Sequence, residues 1–264
     1  MNLEEICKQT IEVTKIVRKF IQGEAATFNS DKIEVKGKSD FVSYVDKSAE
    51  RMIIEALEKI LPEAGFIAEE NTSSKKGEHY NWIIDPLDGT TNFIHGLPIY
   101  SISIALMHDN HILLGVVHEC NLNEQFYAWK DGGAFLNGKP IQVSKINALQ
   151  NSLLVTGFPY VDNGKMSQYM DLFQYFAENT HGVRRLGSAA VDIAYVACGR
   201  LEAFYEYNLK PWDLAGGVII LQEAGGKVTD FSGGDNYIFG KELIASNFGI
   251  HEDVKKAINK IYLK

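Results

Sequence analysis

The sequence predicts a mixed helix and sheet protein in two halves, and three observations carry that prediction. Two stretches with helical periodicity open the chain. A train of strand-like segments separated by turn residues follows, from Trp82 to Leu136. Near residues 145–151 the hairpin pattern gives way to strand and helix alternation, which divides the chain into 1–146 and 147–264.

In the first half, Leu3, Ile6, Thr10, Val13, Val17 and Phe20 recur three and four apart, so the first 22 residues read as an amphipathic helix with one buried stripe. Residues 32–40 are polar and read as a loop with room for a short strand; Lys36 and Lys38 either steer an anion or are ordinary surface charges. Ser43-x-x-Asp46 has helix-start spacing, and Ala49, Met52, Ile53, Ala56, Leu57 and Ile60 mark a second amphipathic helix that Pro62 stops. Residues 65–70 read as a short strand ending in Glu69 and Glu70. Adjacent side chains on a strand face opposite sides, so only one of the two reaches a shared site. Residues 71–80 form a polar loop, read as a mobile flap.

Trp82, Ile83 and Ile84 read as a buried strand that ends in Asp85-Pro86-Leu87-Asp88-Gly89. Pro86 fixes its own φ and has no N–H, so the turn is stiff and aims Asp85 and Asp88 at one point. Converging carboxylates suit a hard divalent cation, and Mg²⁺ commonly combines one or two of them with water and phosphate oxygens. Gly89-Thr90-Thr91-Asn92 opens a short helix whose free N–H groups accept a phosphate. Taken alone, Asp-Pro-x-Asp-Gly is equally an acidic turn after a strand.

Residues 101–108, 111–119, 124–129 and 133–136 continue as antiparallel strands, the first two joined through Asp109-Asn110. His108 and His111 flank that turn and read as hairpin residues; no histidines in the chain have metal-ligand spacing. In the second half, residues 152–156, 183–186, 201–207, 227–230 and 243–246 read as strands, and 166–178, 187–198, 211–224 and 251–262 as helices. Ser188 is a favoured N-cap for the second of these helices. Arg184 and Arg185 either hold an anionic substrate or are surface charge. Gly216 and Gly217 each cost about 1 kcal/mol against Ala inside a helix, so their smallness must permit a close approach.

The net charge of −8 argues against a nucleic-acid surface. It also requires cations between an acidic cleft and a phosphate ester. Cys7, Cys120 and Cys198 are widely spaced, which indicates neither a disulfide framework nor a zinc site and fits a reducing cytoplasm. No apolar run approaches a membrane span and the N-terminus lacks the pattern of a secretory signal.

Asp-Pro-Leu-Asp-Gly-Thr-Thr-Asn-Phe, residues 85–93, closely resembles the first signature of the inositol monophosphatase family of metal-dependent sugar phosphatases. Trp-Asp-Leu-Ala-Gly-Gly at 212–217, with Glu-Ala-Gly-Gly at 223–226, resembles the second, and the similarity covers nearly the whole chain. The resemblance implies a layered αβαβα sandwich, α+β in its first half and α/β in its second, with the metals between them. It implies that Glu69, Asp85, Asp88, Asp213 and the Leu87 carbonyl bind about two to three Mg²⁺ ions. Ala68 stands where the family has Gly before its two Glu residues. Thr90 would orient the attacking water, and the N–H groups of Gly89 and Thr90 would bind phosphate.

By the same resemblance Gly187, Ser188 and Ala189 lie beside the substrate ring, and Glu206 contacts substrate hydroxyls near Asp213. Asp46 would lie near an additional metal; on its residues alone it is an acid favoured in a first helical turn. Lithium sensitivity and a homodimer are further family expectations. Relatives with this metal set act on inositol monophosphates, fructose 1,6-bisphosphate, 3′-phosphoadenosine nucleotides or NADP, and the overall match lies nearest the first. A regulatory binding protein on the same fold is the alternative of another class.

Overall fold

The computed structural model describes residues 1–26, 33–37, 40–158 and 164–263, with the backbone alone for 33–37 and 40–43. Lys38 lies outside the described residues, and the side chains of Lys36 and Ser43 are likewise outside the description.

Five layers stack. Helices α1 (Leu3–Ala25) and α2 (Tyr44–Ile60) form the first. They cover a seven-stranded sheet of β3 (Gly65–Ala68), β4 (Tyr80–Asp88), β5 (Ser101–His108), β6 (His111–Glu119), β7 (Glu124–Trp129), β8 (Gly133–Leu136) and β9 (Lys139–Pro140), with neighbours in chain order. The polar stretch before α2 contains a small antiparallel pair, β1 (Ile33–Gly37) and β2 (Asp40–Ser43). Helices α5 (Ala189–Ala197) and α6 (Pro211–Glu223) form the central layer. The second sheet runs β11 (Val183–Arg184), β10 (Leu154–Thr156), β12 (Ala203–Tyr207), β14 (Glu242–Ser246) and β13 (Lys227–Thr229). Helices α4 (Met166–Asn179) and α7 (His251–Ile261) close the stack.

Alternation along the strands feeds two cores at once. Trp82 and Ile84 of β4 pack with α1 and α2, whereas Ile83 faces the layer of α5 and α6. A third core lies between the second sheet and α4 and α7. The expected sandwich is thus present, with one difference in topology. The second sheet is mixed: β10 pairs in parallel with β11 and β12, but β14 pairs antiparallel with both β12 and β13.

Helix α6 carries almost no polar side and is buried along Leu214–Leu221. Its two glycines meet different neighbours. A Cβ on Gly216 would lie 2.7 Å from Ser103 Oγ on β5, and one on Gly217 would lie 2.9 Å from Ile193 Cβ on α5. From the sheet side, a Cβ on Gly115 would lie 2.5 Å from the Gly216 carbonyl oxygen. The smallness of Gly216-Gly217 therefore seats the helix between the sheet and its partner helix. Gly115→Ala should destabilise the protein by about 1–3 kcal/mol through overpacking. Gly23→Ala, in α1 with open space around it, should stabilise it by about 0.5–1 kcal/mol. Denaturant unfolding of the two variants checks both signs.

Candidate active site

Strand β4 does not stop at Ile84 as expected but continues through the acidic motif to Asp88 with an irregular register. Asp85 pairs with Ser103 and Asp88 with Ser101, so the strand holds one residue more than its partner across this span. On a regular strand residues three apart face opposite sides. The extra residue, a bulge built over Pro86, turns both carboxylates to the same side. The Leu87 N–H donates to Asp85 Oδ1 at 2.9 Å and locks the turn. Gly89 then caps the short helix α3 (Thr90–Ile94) with φ +97°. A Cβ there would lie 3.1 Å from the Gly187 carbonyl and 3.0 Å from that of Ile99.

The second half grips this turn. Asp88 Oδ2 accepts from Ser188 Oγ at 2.6 Å and from the Ala190 N–H at 2.8 Å. Ser188 is the N-cap of α5 as expected, and its buried hydroxyl bonds Asp88 and lies 3.1 Å from Ser101 Oγ at the wall of the cleft. Asn92 Nδ2 donates to the carbonyls of Ile99 and Leu186, joining the halves beside Gly187. Asp213, in the first turn of α6, accepts from the Lys210 N–H at 2.7 Å.

These elements bring the predicted acids together. Burial, then the charges of Glu69, Asp88 and Asp213, hold the Asp85 carboxyl well above its usual range. Asp88 is pushed up to about 6 by burial, with the Ser188 hydroxyl and α5 N–H groups opposing. Asp213 is pushed up to about 7 by burial and then by Asp88. Among the described residues no Lys or Arg forms a salt bridge with Asp85, Asp88 or Asp213. Arg185 and Lys210 offset the charge on Asp88 and Asp213 only in part, and an all-oxygen set left this repulsive fits hard divalent cations such as Mg²⁺. Thr90 Oγ1 lies 2.9 Å from both Asp46 Oδ1 and the Leu87 carbonyl oxygen, so its single proton is shared between two acceptors.

A small cleft of about 90 Å³ opens beside the acids, lined by Asp88, Arg185, Gly187, Ala189, Glu206 and Asp213 among others. Glu206 is pushed up to about 8 by burial and then by Asp213, with Arg185 opposing. A Cβ on Gly157 would lie 2.1 Å from Glu206 Oε2, so the glycine is what admits this carboxylate. The arginine pair splits: both are exposed, but Arg185 lines the cleft, whereas Arg184 is turned to the Val183 carbonyl and absent from the cleft lining.

Three features escaped the sequence reading. Asp192 lies in the cleft wall, buried, with Oδ1 unpartnered; an acid alone in the apolar run Ala189–Ala197 was its signal. Glu50, buried in α2, accepts from the Glu70 and Thr72 N–H groups and the Thr72 hydroxyl. The segment after Glu69, expected as a mobile flap, is thereby fastened to α2. His118 and His251 are buried and hydrogen-bonded in the cores.

Raised acid pKa values mean that the folded, metal-free protein holds more protons than the unfolded chain between about pH 4 and pH 8. Its stability should therefore fall as pH rises through that window, and saturating Mg²⁺ should remove the fall. Thermal unfolding with and without chelator tests this. Ser188→Ala should weaken Mg²⁺ binding by about 10–100-fold, the usual effect of losing a partner that orients a ligand. Isothermal titration measures it.

The profile of the inositol monophosphatase family matches residues 2–262. A fructose-1,6-bisphosphatase/inositol-1-monophosphatase of Thermotoga maritima is 44% identical over 233 residues, covering 88% of each chain. A putative Nus factor SuhB of Neisseria meningitidis is 42% identical over 236 residues, 89% of this chain and 90% of that one. Among solved structures, the Bartonella henselae extragenic suppressor protein SuhB superposes with a TM-score of 0.89 at 35% identity, covering 96% and 98% of the chains. An inositol monophosphatase of Thermotoga maritima does so at 0.87 and 37%, covering 95% of each.

Proposed function

The chain belongs to the inositol monophosphatase family, and on that premise we propose that it is a Mg²⁺-dependent phosphomonoesterase that hydrolyses myo-inositol monophosphate to inositol and phosphate. The observation that carries this reading is the convergence of Asp88 and Asp213, one from each half of the chain, on a cleft that also holds Glu206, with Asp85 buried near enough for the charges of Glu69, Asp88 and Asp213 to raise its carboxyl. When bound by Glu69, Asp85, Asp88, Asp213 and the Leu87 carbonyl, about two to three Mg²⁺ ions would supply an activated water and neutralise the phosphate and the leaving oxygen.

The remaining work falls to side chains and backbone. Thr90 donates its hydroxyl proton to Asp46 or Leu87 and turns a lone pair outward, where it accepts a hydrogen bond from the attacking water and orients it. Asp46 thus acts through Thr90, which supports a positioning role beside the weaker reading of it as a metal neighbour. The Gly89 and Thr90 N–H groups hold phosphate oxygens. Glu206 accepts from substrate hydroxyls, and Gly187 and Ala189 let the ring approach. Ser188, in the cleft wall beside the ring, also positions Asp88 through its hydroxyl. Arg185 offers the cleft a cation for an anionic substituent.

Glu206 and Asp213, side by side in the cleft lining, suit the hydroxyls of a polyol ring. Fructose 1,6-bisphosphate is the nearest competitor, since the Thermotoga maritima relative carries both activities in its name. A second reading, a regulatory binding role, draws on relatives named Nus factor SuhB. The family's homodimer belongs to the proposal, and sedimentation tests it.

Phosphate release should depend on Mg²⁺ and favour myo-inositol 1-phosphate over fructose 1,6-bisphosphate, 3′-phosphoadenosine nucleotide and NADP. Asp213→Asn should abolish it, and Thr90→Ala should lower kcat by about 10²–10⁴-fold. Preference for another ester would retain the mechanism and change the substrate. A biological effect that survives Asp85→Asn would establish the binding role.

A further inference from the structure

A second cluster of ligand-bearing side chains lies away from the carboxylate site, where the start of β4 meets the β5–β6 turn. Histidines without ligand spacing along the chain come together here in space. Sheet pairing places Tyr80 opposite His108, so His79 arrives beside the turn from far upstream in the chain. Asp109 adopts φ +52° in that turn, and its N–H donates to the His79 carbonyl at 2.8 Å. Its carboxylate then sits between two imidazoles: Oδ1 is 3.1 Å from His79 Nδ1 and Oδ2 is 3.7 Å from His108 Nε2. One ligand atom from each of the three residues lies within 4.8 Å of the others. Tetrahedral ligands at about 2.0–2.1 Å from a zinc ion stand roughly 3.3 Å apart, so small side-chain rotations close the set.

We propose that His79, His108 and Asp109 form a surface site for a borderline divalent transition-metal ion such as Zn²⁺. Two imidazole nitrogens and a carboxylate select this class over Mg²⁺, which the all-oxygen site suits. The backbone sets the geometry in advance, because the Asp109 turn is tied to His79 and the Tyr80 ring stacks on His108 with centroids 4.5 Å apart. All three side chains reach solvent, with exposures of 59%, 41% and 57%, so an ion enters freely and water completes its shell. Glu78 Oε1, 3.9 Å from His79 Nε2, adds negative charge to the entrance. The ion would pin residue 79 to the β5–β6 hairpin. Glu50 already fastens the other end of this segment, just beyond Glu69.

Electron paramagnetic resonance with one equivalent of Cu²⁺ as probe, in excess Mg²⁺ to occupy the oxygen site, reads the ligands directly. The intact protein should show nitrogen superhyperfine splitting from two imidazoles, and Zn²⁺ should displace the signal. His79→Gln and His108→Gln should each lose the two-nitrogen pattern and weaken binding by about tenfold or more, while Mg²⁺-supported phosphatase activity, and thermal unfolding in metal-free buffer, stay unchanged. Absence of nitrogen coupling in the intact protein, or an unaltered spectrum in both variants, would overturn the proposal and leave a hydrogen-bonded His–Asp contact.

Discussion

Carboxylates crowded beside one another repel, and much of the surrounding packing keeps them in place against that repulsion. The bulge over Pro86 turns Asp85 and Asp88 to one side, and the Leu87 N–H holds Asp85 there. From the opposite half, Ser188 and the first turn of α5 clasp Asp88. Helix α6 delivers Asp213 from a position that only glycines at 216 and 217 allow, because those residues let the helix sit between β5 and α5. Burial sharpens the repulsion, and repulsion creates the affinity for cations: a group that costs free energy to keep charged in the folded chain releases that cost when a divalent ion arrives.

The same clasp explains why the site lies where it does. Asp88 belongs to the hairpin-rich half, whereas Ser188, Ala190, Glu206 and Asp213 belong to the half in which strands alternate with helices. A cleft at this junction receives ligands from two sheets without either sheet having to open. Gly89 and Gly187 approach one another there, each with positive φ, and a Cβ on Gly89 would lie 3.1 Å from the Gly187 carbonyl oxygen. Asn92 bridges them with its amide.

Local chemistry was legible in the sequence; long-range pairing was not. The hairpin strands 101–108 and 111–119 could be bounded because Asp109-Asn110 interrupts an otherwise apolar alternation, and the acidic turn stood out because Pro86 lies between two acids. Ser188 was readable as a cap, but its bond to Asp88 joins residues a hundred positions apart and leaves no periodic trace. The same holds for Glu50, whose partners lie beyond the next strand, and for His79, which meets Asp109 only through strand pairing. Strand β4 was cut short in the reading because a bulge looks like a turn when its partner strand is unknown. The polar stretch 32–40 left room for one short strand, and the pairing of β1 with β2 is what it did not show. The mixed direction of the second sheet rests on connection geometry, which composition does not encode.

The three cysteines, all free, illustrate what a five-layer stack does to chemistry remote from the cleft. Burial pushes the Cys7 thiol up to about 12 and raises Cys120 and Cys198 as well. The folded protein therefore offers oxidants and electrophiles almost no thiolate. Cys7 and Cys120, sealed from solvent, meet such reagents only when the layers part, so their rate of capture is a clock for how often the sandwich opens.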